Sequence, residues 1–250
     1  MTFNTKIRLL QAFNHIPAIA GAYLFVLNPH WWPVLLISFV ILAPISTTVT
    51  LHRLLAHKSF TTWPWLEKVL SFLSIYATLG STIGWVAVHR YHHVTSDTEK
   101  DPHSPHNGIW GAWTGYGWKL ENIPPKFIKD LLRQKHHKWI HKYYFKVIIA
   151  TVIVMALIHP LLPLFAYFLP QTLMFHGTNA VNFLGHWHGY RNYDIADKST
   201  NSWIANIFGF GDGWHNNHHA NPSRYYHGER WWEWDPMGVF IRLIRTNKEN

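Results

Sequence analysis

The residues from Leu9 to Leu51 include no Asp, Glu, Lys or Arg, and this long uncharged run limits the folds open to the chain. A membrane-crossing helix needs about 20 mainly apolar residues. The run therefore has room for two such helices, with a turn at Asn28-Pro29-His30. A second uncharged run, Val147 to Tyr190, is broken at His159-Pro160 and has room for two more. The sequence predicts an all-α integral membrane protein with four transmembrane helices, at about residues 9–27, 31–51, 146–159 and 161–187.

Composition supports this class and narrows the chemistry. Only 14% of the 250 residues are charged, against about 25% in an average soluble protein. The chain contains no cysteine, which excludes disulfides, thiolate catalysis and a protein-held iron–sulfur cluster. The net charge of +9 suits anionic lipid or an acidic partner, but not nucleic acid, because the basic residues flank apolar runs. No linker divides residues 1–250, so we expect a single domain.

Nine of the 20 histidines fall into three short boxes and one single position, each at or just beyond the end of an apolar stretch. They are His52, His57, His89, His92, His93, His186, His215, His218 and His219. Imidazole is the commonest metal ligand in proteins, and nine are too many for one ion. Histidines three and four residues apart share a helix face. His52 and His57 are five apart, about 140° around an α-helix, so they need a helix end between them or two different metals.

Residues 69–88 form a third uncharged run that is long enough to cross a membrane. A crossing would separate His57 from His89 by roughly 30 Å, so we expect a helix that lies on the membrane or lines a channel. Thr82, Gly84 and Trp85 are the predicted channel residues. All nine histidines then share one membrane face. Lys and Arg concentrate on that same face, and the positive-inside rule makes it, and both termini, cytoplasmic.

Several motifs together resemble the integral-membrane fatty acid desaturases of the delta-9 acyl-CoA or acyl-lipid type. They include His52-Arg-Leu-Leu-Ala-His57, Trp85 four residues before His89-Arg-Tyr-His-His93, and the run from Ser96 to His103. Further matches are Asn182-Phe-Leu-Gly-His186, the run from Gly189 to Asp194, and Gly211-Asp-Gly-Trp-His215-Asn-Asn-His-His219. The resemblance covers most of the chain, from about His52 to Asp235.

This resemblance implies that the nine histidines hold two iron ions (Fe2+/Fe3+), with Asn182 approaching one of them through water. It implies that O2 is used to introduce a cis double bond, at position 9, into a saturated acyl chain carried by a lipid, CoA or acyl carrier protein. A ferredoxin or a cytochrome b5 would donate the electrons. Family members often have Glu in place of Asp212, which is expected to bond a ligand histidine, and His103 is expected to lie close to the ligands. Val86-Ala87-Val88 replaces charged residues of animal acyl-CoA enzymes, which favours the acyl-lipid type.

Two other functions remain open at the level of sequence. A hydroxylase would share the fold and metals but leave an alcohol. A membrane metal-binding or transport protein would carry out no reaction, and imidazole ligands alone would also accept zinc. His136, His137 and His141 lie in a Lys-rich stretch from Arg133 to Lys146, which predicts a basic surface facing solvent or lipid headgroups.

Overall fold

The computed structural model describes residues 1–104, 108, 113 and 123–247, and the regular secondary structure of these residues is helical apart from isolated bridges at Asn201. The predicted all-α class is thereby confirmed. The nine helices named below are α1 (Phe3–Leu27), α2 (Pro29–Ala56), α3 (Pro64–Ala77), α4 (Thr82–Thr95), α5 (Lys135–Ile158), α6 (residues 164–184), α7 (Trp203–Gly209), α8 (His215–Ala220) and α9 (Pro236–Ile244).

Helices α1, α2 and α5 are long and apolar enough to cross a membrane. Their outer faces carry large apolar side chains, among them Ile19 at 71%, Val26 at 76% and Leu157 at 81% exposure. A soluble protein rarely exposes so much contiguous apolar surface. These faces are therefore suited to contact with lipid acyl chains.

The predicted fourth span, residues 161–187, is represented by α6, which is not one of the three described helices that are long and apolar enough to cross a membrane. Gln171 and Asn179 are buried along it, and it packs against α1 on one side and α7 on the other. Its polar residues thus face protein. That α6 crosses the membrane stays a prediction, as does the cytoplasmic position of the termini.

Residues 69–88 do not form a single helix. They are divided between α3 and α4, which meet at an angle of 82°. The break contains Thr78 and Gly80, both with positive φ values, of 54° and 124°. The run is therefore not one straight helix, and the bent pair is apolar enough to count as one broken span. That it lies on the membrane or lines a channel without crossing stays a prediction.

The first half of α5 corrects the expectation of a basic surface. His137 is fully buried, with its ring Nδ1 3.1 Å from the Thr82 hydroxyl. His141 lies one turn further on, with its Nδ1 2.7 Å from the Ser81 hydroxyl. The solvated lysines lie on one face of this segment only, because opposite faces of a helix can have different surroundings. The other face holds the start of α4.

A buried arginine ties α2 to the C-terminal part of the chain. The Arg53 side chain is fully buried and donates hydrogen bonds to Asp235 at 2.6 Å and to Asp212 at 2.9 Å. It also donates to the backbone carbonyl of Tyr225 at 2.7 Å. Asp235 caps α9 by accepting from the backbone N–H of Gly238. One guanidinium therefore fixes α9 and the loop before α8 against the end of α2.

Replacing Arg53 by Gln should destabilise the fold strongly, because it leaves buried carboxylates without their counter-ion. Removing one partner of a buried ion pair costs about 3–5 kcal/mol. Thermal unfolding in detergent measures the change. Arg133→Gln, at an exposed position, is the matched control, and equal melting temperatures for the two variants would contradict this role for Arg53.

Candidate metal centre

The nine predicted histidines meet in two groups of ligand atoms. Five form one cluster and four form the other, and within each cluster the ligand atoms lie within 4.8 Å of one another. The five-histidine cluster consists of His52, His57, His89, His93 and His218. The four-histidine cluster consists of His92, His186, His215 and His219. Along α4, His89 and His93 belong to the five-histidine cluster and His92 belongs to the other. Along α8, His218 belongs to the five-histidine cluster and His215 and His219 belong to the other. The two clusters therefore lie side by side.

The winding of α2 explains how His52 and His57 reach the same cluster. The helix is π-wound from Ile45 to Ala56, and the backbone N–H of His57 donates to the carbonyl of His52 at 3.1 Å. A π-helix joins residues i and i+5, so two residues five apart lie nearly above one another. The helix also ends at Ala56, so the predicted helix end between His52 and His57 is present. The other alternative, separate metals for the two residues, does not fit, because both belong to one cluster.

Three members of the four-histidine cluster and one member of the five-histidine cluster have a carboxylate bonded to the ring nitrogen Nδ1. His92 Nδ1 lies 2.7 Å from Asp101, and His186 Nδ1 lies 3.0 Å from Asp97. Two further pairs are His219–Asp197 at 2.9 Å and His52–Asp212 at 3.1 Å. Metal-binding histidines usually donate their second ring N–H to such a group, which fixes the ring and its tautomer.

The charge state of the carboxylates shows which ring nitrogen faces the cluster. Burial raises the pKa of Asp101, but its hydrogen bond with His92, with further help from backbone N–H groups, lowers the pKa to about 2. Burial likewise opposes ionisation of Asp212, yet His52 and Arg53 hold its pKa well below the usual range. An ionised carboxylate can only accept. Nδ1 of His92 and His52 therefore carries a proton, which leaves Nε2 as the ring nitrogen that can bind a metal.

The contacts within the five-histidine cluster cannot all be hydrogen bonds. Four Nε2–Nε2 distances join its members in a chain, from 2.7 Å for His57–His89 to 3.1 Å for His89–His93. A neutral Nε2 offers one hydrogen or one lone pair, so five such atoms can make at most two hydrogen bonds. Two nitrogens bound at right angles to one ion at about 2.1 Å would lie about 3.0 Å apart. A cation between the rings thus accounts for the remaining contacts.

The histidines of α8 are held in the form that binds metals. Burial, followed by the charge of neighbouring histidines, lowers the pKa of His215, His218 and His219 well below the usual value. Neutral imidazole is the ligand form. In the four-histidine cluster, the Nε2 atoms of His92 and His219 are buried and have no hydrogen-bond partner among the described residues. Both clusters therefore fit metal ions.

A cavity lies against both clusters. Its walls include His52 and His89 from one cluster, His215 from the other, and residues of α1, α2, α4 and α6. Trp85, a predicted channel residue, is part of the wall and stacks on His89 with ring centres 4.7 Å apart. Gly84 and Thr82 are not among the lining residues. On α4 they face other helices, with Gly84 near Phe3 of α1 and Thr82 against His137 of α5.

Asn182 and His103, the two further predicted site residues, both line this cavity. The ring of His103 lies 5.3 Å from that of His92, and its backbone N–H donates to Asp101 at 2.8 Å. Burial lowers the pKa of His103 to about 3, which keeps this ring neutral. The structure therefore brings the whole predicted set together, apart from the two channel residues on the far sides of α4.

Sequence reasoning missed four residues around the clusters. Asp97, Asp101 and Asp197 each bond a histidine of the four-histidine cluster. His227 lies behind the other cluster, with its ring 4.6 Å from that of His218 and its Nδ1 3.5 Å from Asp212. The one available signal was the scarcity of acidic residues, because the chain has only 13 of them and three, Asp97, Glu99 and Asp101, closely follow the second box.

One glycine is required by the packing of the clusters. A Cβ atom on Gly185 would lie 2.9 Å from the His215 ring and 2.4 Å from the Val181 carbonyl. A Cβ atom essentially never lies so close to an atom to which it is not bonded. Only glycine therefore lets the end of α6 bring His186 against His215, whose Nε2 atoms are 3.0 Å apart.

Comparison with known proteins gives a consistent family. Residues 29–232 match the family model described as fatty acid desaturase. The chain is 34% identical over 236 residues to the sn-1 stearoyl-lipid 9-desaturase of Anabaena variabilis, covering 91% of this chain and 86% of the relative. It is 35% identical over 206 residues to the sn-2 palmitoyl-lipid 9-desaturase of Nostoc sp. (strain 36), covering 78% and 71%.

A third relative differs in the substrate that its name states. The acyl-CoA 5-desaturase AL21 of Anemone leveillei is 30% identical over 237 residues, covering 92% of this chain and 73% of the relative. All three are desaturases, and all match across most of their length. With its two histidine clusters and its apolar helices, the chain belongs to the fatty acid desaturase family and is an oxidoreductase of that type.

Proposed function

We propose that this desaturase introduces a cis double bond at position 9 of a saturated acyl chain that is esterified in a membrane lipid, using two iron ions and O2. The observation that carries the proposal is the meeting of nine histidines in two clusters beside a cavity. The names of the relatives, stearoyl-lipid and palmitoyl-lipid 9-desaturase, support the substrate class and the position.

Each cluster would hold one iron ion. The five-histidine cluster would bind one through the Nε2 atoms described above, and the four-histidine cluster would bind the other, with Asn182 approaching a metal through water. When bound, the two ions would supply the oxidation of unactivated C–H bonds by O2 and external electrons. Imidazole also suits zinc, so the oxidative chemistry of the family is what favours iron.

The protein's own task is to fix the position of a chain that offers no polar group to bind. Selectivity for one pair of carbons along such a chain has to come from how far the chain enters the cavity and from the shape of the cavity. The cavity supplies apolar walls at Leu79, Trp85, Met174 and Phe175, next to both histidine clusters. Trp85 also holds the plane of the His89 ring by stacking on it. An acyl chain seated between these walls would present one pair of carbons to the clusters.

The segment between Trp85 and His89 supports a lipid rather than CoA as the carrier. Val86 is fully buried and Val88 is 3% exposed, so this part of α4 belongs to the protein core. It offers no charged side chain to a nucleotide headgroup. Because one relative is named an acyl-CoA desaturase, the carrier has to be tested directly.

The electrons would come from a separate protein on the cytoplasmic side, of the ferredoxin or cytochrome b5 class. The net charge of +9 would attract an acidic carrier by electrostatic steering. Lys58, one residue after His57, and Arg90 both pair with Asp130, at 2.7 and 2.9 Å, so this group keeps one net positive charge close to the five-histidine cluster. Turnover should therefore fall as the ionic strength rises, because salt screens exposed charges.

Expression in a host that lacks monounsaturated lipids tests the reaction. We expect a new cis-monounsaturated acyl chain in the membrane lipids, with the double bond at position 9 by mass spectrometry. Assays with purified chain on acyl-lipid and on acyl-CoA separate the two carriers. An alcohol without an alkene would instead identify a hydroxylase, and metal-dependent growth with unchanged lipids would identify a metal-binding or transport protein.

Removing one ligand tests the metal assignment. His92→Ala takes away a buried imidazole held by Asp101, so we expect both the iron content and the product to be lost. His188→Ala, at an exposed position two residues beyond His186, is the control. Unchanged product from the His92 variant would refute its assignment as a ligand.

The carboxylates behind the histidines are tested by Asp101→Asn, which keeps the shape but removes the charge. Loss of such a partner typically lowers metal affinity or activity about 10–100-fold. Iron affinity and initial rate measure the effect, with Glu99→Gln, an exposed acid in the same loop, as the control. If Asp101 had no part in holding His92, both variants would behave like the wild-type chain.

A further inference from the structure

A third group of ligand-type side chains lies outside the two clusters, where α3 packs against α5. It consists of Glu67, His136 and His137, each of which offers one ligand atom within 4.8 Å of the others. Glu67 lies in the first turn of α3 and the two histidines in the first turn of α5. None of them lines the cavity. The reaction proposed above therefore makes no use of this group.

Two nitrogens of the group are buried without a hydrogen-bond partner. The Nε2 atoms of His136 and His137 are both inaccessible and unbonded within the described part of the chain. His137 is 0% exposed, and its Nδ1 is engaged with the Thr82 hydroxyl at 3.1 Å, so Nε2 is the atom it has free. A buried polar atom without a partner is energetically unfavourable. Two such atoms beside a carboxylate indicate that something binds between them.

We propose that Glu67, His136 and His137 bind a single divalent transition-metal ion of the zinc type, separate from the proposed iron centre. Two imidazoles and one carboxylate form a ligand set that zinc accepts, with water in the fourth position. Ligand atoms around a tetrahedral zinc ion are about 3.4 Å apart. The three atoms therefore need to close by at most about 1.4 Å, which is within the reach of side-chain rotation.

The surroundings of the group are suited to holding an ion. The contact between Thr82 and His137 fixes one ligand ring from behind, as partners of metal-binding histidines usually do. Glu67 and His136 are only half-buried, so an ion can enter from the surface. The ion would join the start of α3 to the start of α5.

This position gives the ion a structural role. The start of α5 also contacts the start of α4, through His137 and through His141 with Ser81. An ion that joins α3 to α5 would therefore fix both arms of the 82° bend against the same helix. The orientation of α4, which carries the second histidine box, depends on that bend.

Metal analysis of the full-length chain tests the proposal. The iron-loaded wild-type protein is incubated with a small excess of Zn2+, desalted and analysed for both metals. We expect about one bound zinc ion per chain with the iron content unchanged. A double variant, Glu67→Gln with His136→Gln, should lose that zinc while retaining its iron. Zinc should raise the melting temperature of the wild-type chain but not that of the double variant.

Glu99→Gln with His188→Gln is the matched control, since it makes the same two changes at exposed positions and should bind zinc like the wild type. Should the double variant fail to fold, X-ray absorption at the zinc edge of the wild-type protein decides, with mixed imidazole and carboxylate ligands expected. A wild-type chain that takes up no zinc, or a folded double variant that binds it equally well, would overturn the proposal. Zinc that displaces iron would lower the iron content of all the proteins, and would also count against a separate site.

Discussion

The carboxylate of Asp212 is shared between the ion pair that joins the two ends of the fold and a histidine of the five-histidine cluster. One of its oxygens accepts from Arg53 at 2.9 Å and the other from His52 at 3.1 Å. Arg53 also neutralises Asp235, so one positive charge faces two buried carboxylates. An unbalanced buried charge is costly. A cation in the neighbouring cluster would offset the remaining negative charge, so folding and metal binding are expected to support each other.

The α3–α4 bend decides where the second histidine box lies. Had residues 69–88 continued as one helix, His89 would end far from His57. Instead the chain turns by 82° around Thr78 and Gly80, and the Nε2 atoms of the two rings lie 2.7 Å apart. His137, His141 and Tyr144 of α5 all contact the residues from Gly80 to Thr82. The bend is thus fixed by side chains that lie far away in the sequence.

The histidine set could be predicted from sequence because its spacing is local and its residue type is rare in apolar surroundings. The partners behind the rings could not. Asp97 and Asp101 look like ordinary loop residues until the fold brings them to His186 and His92. The sequence does not show that His52 and His57 reach the same cluster, because the rule of 3.6 residues per turn does not hold in a π-helix. The sequence does not predict the burial of His137, because a helical segment rich in lysine can still bury one of its faces.

Trp85 belongs both to the cavity wall and to the packing of a proposed ligand, since it stacks on His89. A change of its side chain would alter the pocket and disturb the metal together. Met174 and Phe175, about two turns before Asn182 on α6, line the same cavity and belong to neither cluster. Relatives with different chain-length preferences are therefore expected to have diverged mainly in this middle part of α6, where natural selection can reshape the pocket at little cost to the reaction centre.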